Sequence, residues 1–241
     1  MRNVVIIQAR MGSTRLPGKV MKMLAGKTVL EHVVQRTSAI PGIDEVVVAT
    51  TVQPADDVIV EESRRLQVPY YRGSEADVLS RYYEAAVQAK ADVIMRITSD
   101  CPLLDPEVSG MVLQTLHEHA GTDYASNTLV RSYPRGLDTE VFTLQALETA
   151  YREANEPHQR EHVTPFLYEN PNRFTCRSVR GEVDYSYYRW TLDTVEDWEL
   201  IQQIYQALYQ DQWFSWTEGI ALMQARPDLH LINGHVEQKS K

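Results

Sequence analysis

The sequence predicts an α/β fold, doubly wound about a mostly parallel sheet. Short β-branched runs alternate along the chain with helical patterns, the order that builds βαβ units. Three of those runs, Asn3 to Gln8 (NVVIIQ), Glu45 to Thr51 (EVVVATT) and Asp92 to Thr98 (DVIMRIT), are apolar nearly throughout. Strands of that kind are covered on both faces, as in a parallel sheet. The length of 241 residues suits one large α/β domain with a full core and no need of staples.

Composition narrows the function. The net charge of -9 and pI near 5.3 argue against a nucleic-acid surface, which requires a broad basic face. No apolar stretch is long enough for a signal peptide or a membrane span, so no membrane role is expected. Cys101 and Cys176 are too few and too unpatterned for a disulfide framework or zinc site, in keeping with a reducing cytoplasm.

The first strand runs directly into Ala9 to Lys19 (ARMGSTRLPGK), which carries Arg10, Arg15 and Lys19. Gly12 allows close backbone approach to an anion, and Ser13 and Thr14 offer hydroxyl donors. The Leu16-Pro17-Gly18 turn directs Lys19 back toward the same anion. Residues Met1 to Leu30 hold six cations and no acid, a +6 segment in an acidic chain. The loop is neither a Walker A motif, since five residues separate Gly12 from Gly18 and Val20 follows Lys19, nor a G-x-G-x-x-G fingerprint. A solvated surface loop would explain its cations too, but its place at a strand's C-terminal end favours a phosphate cradle.

Thr28-Val-Leu-Glu31 reads as a capping box that opens a helix, closed by Pro41-Gly42. After the second strand come a helix over Pro54 to Leu66, a short strand over Val68 to Tyr71, a loop at Arg72-Gly73-Ser74 and a helix over Asp77 to Ala89. The third long strand delivers Ser99 and Asp100 to the same edge as the cradle, and Asp105-Pro106 caps the next helix. Asp105 is explained by capping. Asp100 is not, because a carboxylate beside a phosphate loop repels the ligand unless a cation such as Mg²⁺ lies between them.

From Thr122 to about Ser186 turn signals crowd together, and the segment reads as a lobe inserted into a single domain spanning 1–241. Within it, Gly136 to Phe142 alternates as a strand, with Asp138 and Glu140 on one face. His158-Gln-Arg-Glu161-His162 matches H-x-x-E-H, a zinc signature, but Pro157 and Pro165 leave the helix short and no third ligand is evident. Tyr187 to Leu192 reads as a strand returning to the sheet, and Thr194 to Asp197 as a capping box for a helix reaching Tyr209. Asp193 stands between them. Trp213 to Ala225 reads as a closing helix, and the tail Glu237 to Lys241 as disordered.

The segments IIQARMGSTRLPGKV, RITSDCPLLDP, YPRGLDTEVF, REHVTPFLY and RWTLDTVEDWELI closely resemble the CMP-Kdo and CMP-sialate synthetase superfamily, and within it the spore-coat polysaccharide cytidylyltransferase branch. The likeness covers nearly the whole chain. It implies a Rossmann-like nucleotidyltransferase of GT-A type, a three-layer sandwich, that transfers CMP from CTP to an acidic sugar and releases pyrophosphate. It further implies a cytoplasmic homodimer serving surface polysaccharide synthesis. By this resemblance Ala9, Arg10, Gly12, Ser13, Thr14, Arg15, Lys19, Arg72, Gly73, Ser74 and Ser99 contact the nucleotide, with Arg10, Lys19 and Asp100 catalytic. Asp100 and Asp193 hold Mg²⁺, although the Kdo branch writes QGDEPL where this chain has TSDCPL. Arg135, Asp138 and Glu140 face the sugar, and Arg135, Arg189 and His162 are candidates for its carboxylate. A ligand-facing Lys19 is expected to contribute little to folding. A nucleotide-sugar binding subunit without catalysis, or another nucleotide-sugar enzyme on this fold, remains open at this point.

Overall fold

The computed structural model describes residues 1–237. In chain order it contains β1 (Asn3–Gln8), a hairpin of β2 (Met23–Leu24) and β3 (Lys27–Thr28), α1 (Val29–Ser38), β4 (Glu45–Thr51), α2 (Asp57–Arg65), β5 (Tyr70–Gly73), α3 (Val78–Gln88), β6 (Val93–Thr98) and α4 (Pro106–Glu118). There follow β7 (Tyr124–Ser126), β8 (Glu140–Thr143), α5 (Leu144–Glu153), α6 (Pro157–His162), α7 (Pro165–Tyr168), β9 (Cys176–Ser178), α8 (Val195–Leu208), α9 (Trp216–Ala225) and α10 (Asp228–Asn233). All but Glu237 of the tail expected to be disordered lies outside the described residues.

Seven strands form one sheet in the order β5-β4-β1-β6-β8-β7-β9. The first four run parallel, β8 is antiparallel to both neighbours, and β9 is parallel to β7. Both faces of the long strands are buried, which is why their sequences do not alternate. Val4, Ile6 and Ile94 pack toward α3 and α5, while Val5, Ile7 and Met95 pack toward α1 and α4. Each such side chain contributes roughly 1.5–3 kcal/mol on burial. A third cluster joins α8 and α9 to Leu16, Leu24, Tyr133, Leu137 and Trp190. The chain moves outward from β1 through β4 to β5, then returns across β1 to β6. That reversal between β1 and β6 opens a crevice at their C-terminal ends, where sheets of this kind bind ligands.

The local start signals operate as read, with one difference. Thr28 accepts from Glu31 N at 3.0 Å, but the Glu31 carboxylate pairs with Arg65 instead of closing the box. Asp105 caps α4 through Glu107 N and Val108 N, and Thr194 and Asp197 form the full reciprocal box of α8.

Several segments differ from expectation. β5 starts at Tyr70, because the parallel register pairs Val48 with Tyr70 and Thr51 with Gly73, so Arg72 and Gly73 are strand residues. Tyr187 to Leu192 does not rejoin the sheet and makes one parallel bridge, Arg135 with Arg189. The bridge tightens at Gly136, whose φ is +104° and where a Cβ would lie 2.6 Å from the Trp190 carbonyl, so only glycine fits. The alternating stretch from Gly136 forms a strand only from Glu140 onward. The helix expected from Trp213 begins at Trp216, where Ser215 and Glu218 make a capping box. Residues 122–186 carry β7, β8 and β9, which continue the sheet beyond β6.

Candidate active site

The loop after β1 is folded by its own backbone and tied to the turn that follows β4. Ser13 N and Gly18 N both donate to Met11 O, at 2.8 and 3.2 Å, and Met11 N donates to Asp56 Oδ1 at 2.7 Å. Gly18 takes φ +65°, which turns the chain into a short 3₁₀ segment that begins at Lys19. From there the Lys19 ammonium reaches across the crevice. Its Nζ lies 2.6 Å from Asp100 Oδ2, at the tip of β6, and 2.8 Å from Asp193 Oδ1, just before α8.

Asp193 also meets Arg15 at 3.0 Å and Arg189 at 3.1 Å. Behind it Asp197, fully buried, receives Asp193 N at 2.9 Å, Thr194 N at 3.0 Å and the Arg189 guanidinium at 2.8 and 3.0 Å. Asn233 of α10 closes this hub by donating to Asp197 Oδ1 at 2.9 Å and Arg189 O at 2.8 Å. Burial opposes the charge on Lys19, yet attraction and hydrogen bonds from Asp100 and Asp193 outweigh it and raise its pKa. The mirror argument holds for Asp100: burial pushes its carboxyl up, and Lys19 more than reverses this, leaving it below the usual carboxylate range.

Arg15, Lys19, Asp100 and Asp193 line a cleft of about 560 Å³. Ala9, Arg10, Gly12, Ser13, Thr14, Arg15, Lys19, Ser99, Asp100, His162 and Asp193 all border it. Arg72, Gly73 and Ser74 do not. Arg72 is held by Thr51 O at 2.9 Å, Gln53 O at 3.1 Å and Asp57 at 2.7 Å, Gly73 is paired in β5, and Ser74 receives Asp77 N at 3.0 Å. Nor does Glu140 face the cleft. It is 4 % exposed and sealed by Arg96 at 2.5 Å, Tyr124 at 2.6 Å and Thr164 at 2.5 Å. Asp138 makes a two-pronged pair with Arg131 at 2.7 and 2.6 Å, and Arg189 is turned to Asp193 and Asp197. Arg135 lies beside Arg189 through their bridge and carries no ion pair among the described residues.

The H-x-x-E-H residues divide. His158 bonds Glu169 at 2.9 Å outside the cleft, while Glu161 and His162 line it. His162 is followed by Val163, whose φ of 72° and ψ of -55°, with Thr164 N donating to His162 O at 2.8 Å, describe a strained γ-turn. Two further lining residues, Glu75 and Arg81, escaped the sequence reading. Glu75 Oε1 is 3.8 Å from Arg10, and Arg81 is 2 % exposed inside α3. An arginine in the body of a helix resembles any amphipathic surface position, so only its burial distinguishes it.

A cation-bearing loop at the switch point, facing carboxylates on a neighbouring strand tip, defines the class first: an α/β nucleotide-handling transferase. Comparison with known proteins narrows this. The chain belongs to the cytidylyltransferase family, whose model matches residues 4–226, and it is a nucleotidyltransferase of that family. It is 35 % identical over 230 residues to the spore coat polysaccharide biosynthesis protein SpsF of Bacillus subtilis, covering 92 % of this chain and 94 % of that one. It superposes on a cytidylyltransferase of Leptospira borgpetersenii with TM-score 0.91 and 32 % identity, covering 100 % of both. A CMP-2-keto-3-deoxy-manno-octonic acid synthetase solved with CTP shares the fold, at TM-score 0.67 and 19 % identity over 86 % of this chain and all of that one.

Proposed function

We propose that this cytidylyltransferase moves CMP from CTP to the hydroxyl of an acidic sugar, releasing pyrophosphate, with Mg²⁺ held by Asp100 and Asp193. The observation that carries this reading is the bridge of one ammonium, Lys19, to both carboxylates, which supports a cation position between them. Two carboxylates completed by phosphate oxygens and water make a donor set that Mg²⁺ favours. Bound there, the metal would supply charge neutralisation at the α-phosphate.

The protein's own residues do the remainder. Backbone and hydroxyl donors of Gly12 to Thr14 orient the triphosphate, and Arg10, Arg15 and Lys19 neutralise the oxygens that depart as pyrophosphate. The acceptor hydroxyl attacks the α-phosphorus in line, and the bond to the bridging oxygen breaks. An acidic acceptor is supported by the arginines around Arg189, which itself pairs with Asp193 and bridges to Arg135. Arg131 and Arg189 are neutralised by aspartates, whereas the half-buried Arg135 makes no ion pair among the described residues, and burial together with Arg131 lowers its pKa. A carboxylate-bearing sugar satisfies that charge. The proposed setting is a soluble homodimer serving surface polysaccharide synthesis, in keeping with the likeness to SpsF.

The experiment is pyrophosphate release with each of the four nucleoside triphosphates and Mg²⁺ against acidic and neutral sugars. Release with CTP and acidic sugars only is expected. Equal release with neutral sugars would refute the acidic acceptor, and equal use of all four triphosphates would refute the cytosine assignment.

A further inference from the structure

Asp56 stands at the head of α2, closing the 3₁₀ turn Pro54–Asp56 that follows β4. A carboxylate in that place ordinarily accepts the helix's own free N–H groups. Asp56 accepts none of them. Its side chain turns instead to the loop after β1, where Oδ1 receives Met11 N at 2.7 Å while Oδ2 receives the Thr51 hydroxyl. The residue is 2 % exposed and, unlike its neighbour Asp57, which pairs with Arg72, it has no cation within 4.0 Å among the described residues. Burying a carboxylate without a cation costs folding free energy, and a chain retains such a group where function gains from it.

Met11 is where the gain lies. Its carbonyl receives Ser13 N at 2.8 Å and Gly18 N at 3.2 Å, so both arms of the loop close on this one residue. Gly18 leads directly into Lys19, and Ser13 Oγ receives Leu16 N at 3.3 Å, next to Arg15. The side chains proposed to meet the triphosphate are therefore fixed relative to Met11, and Met11 is fixed through Asp56 to the end of β4, the strand beside β1 in the sheet. Thr51 is the last residue of β4 and is fully buried, which sets this anchor in the central sheet and not in a second loop. A displacement of about 1 Å in such a loop is enough to cost roughly a hundredfold in catalysis.

We infer that Asp56 is a positioning residue for the phosphates of the nucleotide: through Met11 it fixes the loop so that Arg10, Ser13, Arg15 and Lys19 face the cleft before the ligand arrives. This inference rests on the nucleotide reading of the cleft given above. Preorganisation of this kind shows itself in affinity, because less of the loop has to be ordered at the moment of binding.

The test is binding of CTP and of inorganic pyrophosphate, each with Mg²⁺, to the wild type, Asp56→Ala, Asp56→Asn and Thr51→Val, at a temperature where circular dichroism shows every variant folded. Asp105→Ala, which loses a buried cap outside the cleft lining, controls for destabilisation alone. In Asp56→Ala, affinity for both ligands should fall about tenfold, the lower end for a hydrogen bond to a charged group. Asp56→Asn keeps an acceptor for Met11 N and can turn its amide to the Thr51 hydroxyl, so it should recover most of that loss. Thr51→Val should lose about threefold, and it keeps the idea testable if Asp56→Ala fails to fold. Asp105→Ala should melt lower yet bind as the wild type does. Wild-type affinity in Asp56→Ala, or in Thr51→Val where Asp56→Ala does not fold, would overturn the inference and leave the nucleotide reading standing. Asp56→Asn as weak as Asp56→Ala would make the charge and not the position the cause, and equal weakening in Asp105→Ala would trace the effect to general destabilisation; either overturns the inference. A wild type that binds neither CTP nor pyrophosphate would overturn the nucleotide reading, and this inference with it.

Discussion

Replacing Lys19 by alanine should destabilise the ligand-free protein, contrary to the expectation that a ligand-facing lysine matters little to folding. The ammonium separates two carboxylates whose side chains are 22 % and 15 % exposed, and its loss leaves them facing each other. Removing one partner of a buried ion pair costs about 3–5 kcal/mol. Arg15 and Arg189 remain on Asp193, so the lower end applies, about 3 kcal/mol. For a chain of this size that is a fall of roughly 6–12 °C in melting temperature. Added Mg²⁺ should recover much of it by replacing the lost cation, and should stabilise the variant more than the wild type. The pH dependence follows from Asp100. Its folded pKa is lowered, so its contribution is complete above the unfolded value near ~3.9 and is lost as pH falls through the folded one. The gap between wild type and variant should therefore close below about pH 4. Thermal unfolding across pH, with and without Mg²⁺, measures all three effects. An unchanged melting temperature at neutral pH would refute the bridge, and a fall that Mg²⁺ leaves untouched would refute the carboxylates as a divalent-cation site.

Asp100→Asn and Asp193→Asn should each fold but lose about a hundred- to thousandfold in turnover, the usual cost of one transition-state charge contact; near-normal rates at saturating Mg²⁺ would reject the assignment. Asp105→Ala should cost about 2 kcal/mol in denaturant unfolding, at the upper end for a cap, because its buried carboxylate also accepts from Trp216 N at 2.9 Å. His158→Ala should change stability by under about 1 kcal/mol and leave turnover intact, since it removes only an exposed pair with Glu169. Inhibition of the wild type by a zinc-selective chelator would contradict that reading.

Much of the fold was legible because its signals are local. β1, β4, α4 and α8 each carry their own evidence in a β-branched run, a cap or a capping box. The hairpin of β2 and β3 was missed, although Ala25 and Gly26 both take positive φ there, because two-residue strands leave almost no pattern. β5 was misplaced because its bounds are set by register with β4, and Tyr187 to Leu192 because burial of Trp190 against α9 imitates a strand's apolar content. In the site, Lys19, Asp100 and Asp193 were legible as elements at one edge. Their direct contact was not, since it joins residues 81 and 174 positions apart. Glu140 was misread because alternation identifies a face but not what covers it.

Asn233 has a practical consequence for anyone shortening this chain. The match to the family model ends at residue 226, which invites a boundary there. Cutting at that point removes α10, and with it both donations from Asn233 to Asp197 and to the Arg189 carbonyl. Asp197 would lose one donor and the helix packed against α8, and the Asp193 backbone that it holds would lose its alignment. A trimmed protein could keep its sheet and its phosphate loop and still lack an ordered second carboxylate, so the boundary for an active minimal domain falls after Asn233.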